Sequence, residues 1–199
     1  GVSPKKKFGY AAGAYNGSGE SKSQDDGSLV YAARVWWQPL AEYTLAEGAL
    51  DAPQTNALHV GAAYRTGEPG RGYVNGVVAS SSTAVTEFQN VDNQDAWNVE
   101  VAWKLKNWWA TAEYFSQTTE NQNPTATAGP DVKSDGWHVQ GSYLTPSRKL
   151  EFGLRYAVVD ANTDAPTGTT TETRGVFNYY WWGHGLKLQF DLGTLDFEA

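Results

Sequence analysis

The sequence predicts an all-β fold, an antiparallel meander of about nine strands. Three observations carry that expectation. Apolar and polar residues alternate one by one along several stretches, turn-forming residues punctuate the chain between them, and no stretch shows the apolar spacing of a helix. In Trp97-Asn98-Val99-Glu100-Val101-Ala102-Trp103-Lys104-Leu105 every odd position is apolar, whereas Asn98, Glu100 and Lys104 take even positions. Successive side chains of a strand point to opposite faces, so such a segment has one greasy face and one wet face. Leu150-Glu151-Phe152-Gly153-Leu154-Arg155-Tyr156 and Leu186-Lys187-Leu188-Gln189-Phe190-Asp191-Leu192 divide in the same way.

In chain order the alternating stretches fall near 7–16, 28–38, 56–67, 95–106, 108–117, 135–145, 149–161, 172–183 and 185–195. The connections between them differ in length, and they do so in a regular order. Lys106-Asn107, Thr145-Pro146-Ser147-Arg148 and Gly183-His184 reverse the chain tightly, while Gly17 to Gly27, Thr66 to Asp95, Gln117 to Asp135 and Asp160 to Thr173 are long and rich in Ser, Thr, Asn, Asp, Gly and Pro. Alternation of long and short connections places every long loop at one end of the sheet. Ala41 to Thr55 departs from this order: it stands where a short turn is expected and reads as a longer turn with its own small structure.

The length suits one domain, 1–199. With 15 basic and 22 acidic residues the net charge is -7, which argues against a nucleic-acid partner, and the only basic cluster, Lys5-Lys6-Lys7, reads as a solvated turn. Much of the acid lies in loops, as with Glu20, Asp25 and Asp26. There is no cysteine, hence no disulfide and no thiolate metal site. No apolar run of about 18 residues exists to form a transmembrane helix, but a barrel strand needs only about ten alternating residues, so a mean hydropathy of -0.53 is compatible with a membrane span. The chain opens at Gly1-Val2-Ser3-Pro4 and contains no methionine, and reads as processed or truncated.

Parity assigns the faces. The apolar face collects Leu29, Tyr31, Val35, Trp37, Leu58, Val60, Tyr64, Trp97, Val99, Val101, Trp103, Trp137, Val139 and Tyr143. The other collects Arg34, His59, Arg65, Asn98, Glu100, Lys104, Glu113, His138, Gln140, Glu151, Arg155, Lys187, Gln189 and Asp191. A soluble all-β domain that binds carbohydrate or another ligand would also show such a split. Aromatic placement favours lipid instead: Trp37, Trp103, Trp108, Tyr143 and Trp181 fall at the short-turn end, and Tyr64, Trp97, Tyr114, Trp137 and Tyr156 toward the long-loop end, with aliphatics between. Trp and Tyr prefer a membrane interface, where the ring lies in the apolar layer and the NH or OH reaches water. Trp97 and Trp103 are roughly 20 Å apart along a strand, and a tilt near 40° brings the axial span to about 15 Å, inside the ~25 Å apolar band of outer-membrane barrels. The meander is therefore expected to form part of a transmembrane β-barrel.

From Trp137 onward the sequence resembles the phosphate-selective porin O and P family of Gram-negative outer membranes. The resemblance is carried by Tyr143-Leu144-Thr145-Pro146, by Leu150 to Tyr156, and by Arg174-Gly175-Val176-Phe177-Asn178-Tyr179-Tyr180-Trp181-Trp182-Gly183-His184-Gly185-Leu186-Lys187-Leu188-Gln189; Leu29 to Arg34 and Leu58 to Arg65 hold similar elements. The resemblance implies a sixteen-stranded barrel, a homotrimer set in bilayer and lipopolysaccharide, small anions such as phosphate as permeants, and no cofactor. About nine strands are too few for that barrel and an odd number leaves open edges, which lipid does not tolerate, so the chain is expected to be an incomplete C-terminal portion of a porin. If the last strand seen is the family's penultimate one, the constriction loop and most basic selectivity residues lie outside this chain.

In a channel the functional residues are lumenal charges. The sequence nominates Arg34, Arg65, Lys104, Arg155 and Lys187 as pore-lining, with Glu100, Glu113, Glu151 and Asp191 as partners; the competing reading is that these groups form cross-strand pairs that stiffen the wall. An enzyme is not expected. Glu100 and Glu113 could pair for glycoside hydrolysis, but acids flanked by Lys and Arg are ordinary in porin walls. His59, His138 and His184 lack metal-ligand spacing, and there is neither a phosphate loop nor a nucleophile elbow.

Overall fold

The computed structural model describes residues 7–16, 29–68, 72–73, 87–88, 91–121, 131–166 and 168–198. Lys5, Lys6, Glu20, Asp25 and Asp26 lie outside them. Among the described residues there are eleven strands: β1 (Phe8–Asn16), β2 (Leu29–Trp37), β3 (Ala57–Gly67), β4 (Gly72–Tyr73), β5 (Glu87–Phe88), β6 (Val91–Leu105), β7 (Trp108–Asn121), β8 (Val132–Leu144), β9 (Leu150–Asp160), β10 (Thr169–Trp182) and β11 (Leu186–Phe197). Nine form one antiparallel sheet in the order β1-β2-β3-β6-β7-β8-β9-β10-β11, a meander in which each strand pairs with the next long strand of the chain. β4 and β5 form a separate two-stranded ribbon within the long connection between β3 and β6, which the sequence reads only as loop.

Several strands run further toward the long loops than alternation predicts. β6 begins at Val91 rather than Asp95, β7 continues to Asn121, and β10 begins at Thr169. Asn93, Gln94, Thr118, Thr119 and Thr170 occupy the added ladder, and there both faces are polar. A strand leaving the apolar band keeps its hydrogen bonds but loses its hydropathy period. The opposite end is closed by tight reversals, where Lys106 (φ 54°), Arg148 (φ 57°) and Gly183 (φ 49°) take left-handed backbone.

Register fixes the two faces across the whole sheet. Val35 stands opposite Ala62, Ala62 opposite Val99, Val99 opposite Tyr114 and Tyr114 opposite Trp137, so the apolar positions of successive strands share one face. That face is the exposed one: Leu154 is 72% and Leu192 71% accessible, whereas the largest fully buried side chains are Lys104, Leu144 and Glu151. A water-soluble sheet buries its apolar face; here the arrangement is inverted, as lipid solvation requires.

Two aromatic belts run around the exposed face. Toward the loops, Trp97 packs against Tyr114 and Trp137 against Tyr156, with ring centroids 5.2 and 5.5 Å apart; toward the turns, Trp108 packs against Tyr143 at 4.6 Å. Their polar tips point to their own ends. Tyr64 OH donates to Asp95 (2.6 Å) and Tyr114 OH to Asp135 (3.2 Å) on the loop side, while Trp103 Nε1 donates to Asn56 (3.0 Å) on the turn side. Val99, Val101 and Val139 lie between the belts.

Candidate channel wall and the segment folded across it

The face opposite the belts carries the chemistry. Register places Arg34, Arg65, Glu100, Lys104, Glu113, Arg155, Lys187 and Asp191 together on it: Arg34 pairs with Ala63 and Ala63 with Asn98, Glu100 stands opposite Glu113, and Arg155 opposite Arg174. Glu100 is a hub. Its Oε1 accepts bonds from Arg34 Nη2, two strands away, and from His59 Nε2 at 2.9 Å. The intervening strand contributes Gly61, where a Cβ would lie 2.4 Å from the Glu100 carboxylate, so any side chain there blocks the bridge. Glu113 accepts from Asn98 Nδ2 at 2.6 Å.

A second lattice crosses β9, β10 and β11. Glu172 forms an ion pair with Arg155 Nε (3.4 Å) and accepts from Arg174 Nε (3.2 Å), and Arg174 reaches on to Asp191. Glu172 and Arg174 were not nominated from sequence, although β10 keeps the same parity that reveals the others. Odd positions Phe177 and Tyr179 stand opposite Phe190 and Leu188 on the apolar face, which puts even positions inside. Two nominated cations escape these pairings. Arg65 donates to Gln94 and to Gln117 (3.4 Å), both neutral, and Lys187 has no carboxylate within ion-pair distance among the described residues.

The connection between β2 and β3 is not a peripheral turn. Residues 38–56 fold back over the charged face and carry its only apolar cluster among the described residues: Tyr43, Ala49 and Ala52 pack with Ala57, Trp109, Leu144 and Tyr180. Trp109 Nε1 donates to Tyr43 OH at 2.9 Å. Burial pushes the Tyr43 phenol above its usual range, which the bond from Trp109 only partly offsets, so it stays a neutral hydroxyl at physiological pH.

Two buried charges hold the segment down. Lys104 Nζ donates to Thr44 O (2.9 Å), Ala46 O (2.5 Å) and Asp51 Oδ1 (2.5 Å), using all three of its donors. Lys104 thus shares the face of the other nominated residues but is covered by the segment. Glu151 Oε1 accepts from Ala49 N (2.7 Å) and Ser142 Oγ (2.5 Å), and its Oε2 from Tyr180 OH. Gly48, at φ +83°, makes the bend that brings Ala49 N to that carboxylate, and a Cβ at Gly48 would lie 2.9 Å from Glu151 Oε1. Further along, Lys106 N donates to Pro53 O at 2.7 Å and Arg148 donates to Leu50 O, so the segment runs across the turn ends of β6–β7 and β8–β9.

Recesses remain on both sides of it. One, of about 260 Å³, is bounded by Arg34, His59, Glu100, Glu113, His138 and Arg155; the other, of about 430 Å³, by Glu151, Arg155, Arg174 and Lys187. Glu47, exposed on the segment, borders both.

An antiparallel sheet with an exposed aromatic-belted apolar face, a charged inner face and a connection folded over that inner face is a section of an outer-membrane β-barrel wall. The family model of phosphate-selective porin O and P matches residues 2–196, and the chain belongs to that family. It is a family of outer-membrane channels rather than enzymes. No curated protein gives a significant match.

Proposed function

We propose that the chain forms part of the wall of a passive diffusion channel in the bacterial outer membrane, admitting small hydrophilic solutes with anions such as phosphate among them. The observation that carries this reading is the inversion of the sheet: belts and aliphatics exposed on one face, ion pairs and an inward-folded segment on the other. β1 and β11 each present an unpaired edge, and in lipid such edges are completed by further strands. The bilayer and lipopolysaccharide would then surround the apolar face, with two more copies making a trimer.

The role of the charges divides. Arg34, Glu100, Arg155 and Asp191 are engaged in pairs that stiffen the wall, and Lys104 holds the segment. Arg65 and Lys187 meet no carboxylate among the described residues, which leaves their charge for a permeating anion. Glu113 and Glu47 oppose them, so the section favours anions by location rather than by net charge. Solutes passing the turn end must skirt residues 38–56, which makes this segment a narrowing of the path.

Single-channel recording of the full-length protein under opposed phosphate and potassium gradients tests the reading. A reversal potential near that of phosphate is expected, and Arg65→Gln with Lys187→Gln moves it toward potassium. A potassium-set potential in the unmodified protein overturns the anion preference.

A further inference from the structure

The charged face is not charged throughout. Between its row Ala11, Arg34, Ala63, Asn98, Phe115 and its row Ala32, Arg65, Ala96, Gln117 runs a transverse groove of about 430 Å³, lying toward the long loops and clear of the folded segment. Its floor is the backbone of β1, β2, β3, β6 and β7 with the methyls of its alanines, and the Tyr15 ring, lying over Gly13, stands at its β1 end. Phe115, whose ring lies across Gly136, closes one end and is 37% accessible on the face that should meet water. Arg34 and Arg65 stand on opposite rims of the groove, on adjacent strands and offset by two residues, which places their Cα atoms about 7–8 Å apart.

The two arginines differ. Arg34 is neutralised by Glu100, whereas Arg65 is held in place by two amide oxygens, Gln94 and Gln117, which orient a guanidinium without cancelling its charge. Gln94 is itself fixed by donating to Thr119 Oγ1 at 3.2 Å. An oriented, unneutralised cation beside an apolar trough is a poor match for a fully hydrated inorganic anion. It matches an anion with an apolar body, which can place its carboxylate on the guanidinium and its hydrocarbon over the methyls.

We propose that this groove is a binding subsite for amphiphilic organic anions, of which aromatic carboxylates are the simplest. Arg65 takes the carboxylate, and Ala32, Ala63, Ala96 and Phe115 take the ring. The inference rests on the channel reading and narrows its solute class.

The test uses the full-length protein with benzoate and acetate as probes, which share a charge and differ in the apolar body. Binding is followed by titration calorimetry in detergent, and block of chloride conductance is followed in planar bilayers. Benzoate is expected to bind and block at least about tenfold more tightly than acetate, and Arg65→Gln to weaken benzoate about tenfold. Ala63→Asn, which puts an amide on the floor, weakens benzoate and leaves acetate unchanged. Equal affinity for the two acids, or benzoate affinity indifferent to both substitutions, overturns the inference even where chloride conductance is normal. Benzoate binding in detergent without any conductance would instead overturn the channel reading and leave the groove.

Discussion

Replacing Lys104 with methionine should release the segment between β2 and β3. The side chain is wholly buried, and its ammonium serves Thr44 O, Ala46 O and Asp51 in three bonds of 2.9, 2.5 and 2.5 Å. Methionine keeps most of the stem volume but leaves two carbonyls and a carboxylate without their donor. Removing one partner of a buried charge pair costs about 3–5 kcal/mol. Most of that falls on the docked state, because the stranded groups recover hydration once the segment lifts into the lumen. At about 1.4 kcal/mol per tenfold, even 3 kcal/mol shifts the docked-to-undocked ratio by about two orders of magnitude. The chain has no cysteine, so Ala49→Cys gives a single reporter at a position with no accessible surface. Maleimide labelling of that thiol should accelerate about a hundredfold when Lys104→Met is added, and single-channel conductance should rise in parallel. Unchanged labelling and unchanged conductance in the double variant would refute both the latch and the narrowing.

Other substitutions probe other parts of the wall. Gly48→Ala meets a left-handed backbone and the Glu151 carboxylate at once, and should cost about 1–2 kcal/mol, read as faster labelling of the same Ala49→Cys reporter. Gly61→Ala should separate Arg34 from Glu100 and lower the urea midpoint while leaving the reversal potential in place, because the guanidinium and the carboxylate are freed together. Glu47→Gln removes a carboxylate that borders both recesses, so it too should move the reversal potential toward the anion, with no loss of folded protein. Val139→Arg places a charge between the belts and should destabilise the protein in bilayers by about 2–4 kcal/mol, whereas Gln140→Glu, which puts a charge on the inner face opposite Arg155, should be tolerated; equal urea midpoints for the two would contradict the assignment of faces.

Much of this was readable from local pattern. Parity alone put Arg34, Glu100, Glu113 and Arg155 on one face and Val99, Trp137 and Tyr156 on the other, because the side-chain period of a strand is two and a register error would have inverted every residue. Strand ends were harder. From Asp95 back to Val91 and from Thr118 to Asn121 the ladder persists through Asn93, Gln94, Thr118 and Thr119, which are polar on both faces, so hydropathy carries no signal there. The fold of residues 38–56 left the least trace. Its anchors, Lys104, Trp109, Glu151 and Tyr180, lie far along the chain, and each looks locally like an ordinary inward-facing residue. One cue was present: a 15-residue insertion, Ala41 to Thr55, at a position where the other reversals are tight. Charge pairing was likewise beyond local reading, since Arg34 passes over a whole strand at Gly61 to meet Glu100, and Arg174 rather than Lys187 takes Asp191.

The docking of residues 38–56 also constrains the order of assembly. Ala49 is bonded to a carboxylate 102 residues later, Tyr43 to an indole 66 residues later, and Thr44 to an ammonium 60 residues later. None of those receptors has a fixed position until β6 through β10 have been laid side by side. Contacts of such sequence separation form late, after the loop entropy of the intervening hairpins has been met by their own pairing. The wall must therefore be raised first and its narrowing added afterwards, so a partly assembled sheet would be leakier than the finished one, and the last step of folding would also be the step that sets the bore.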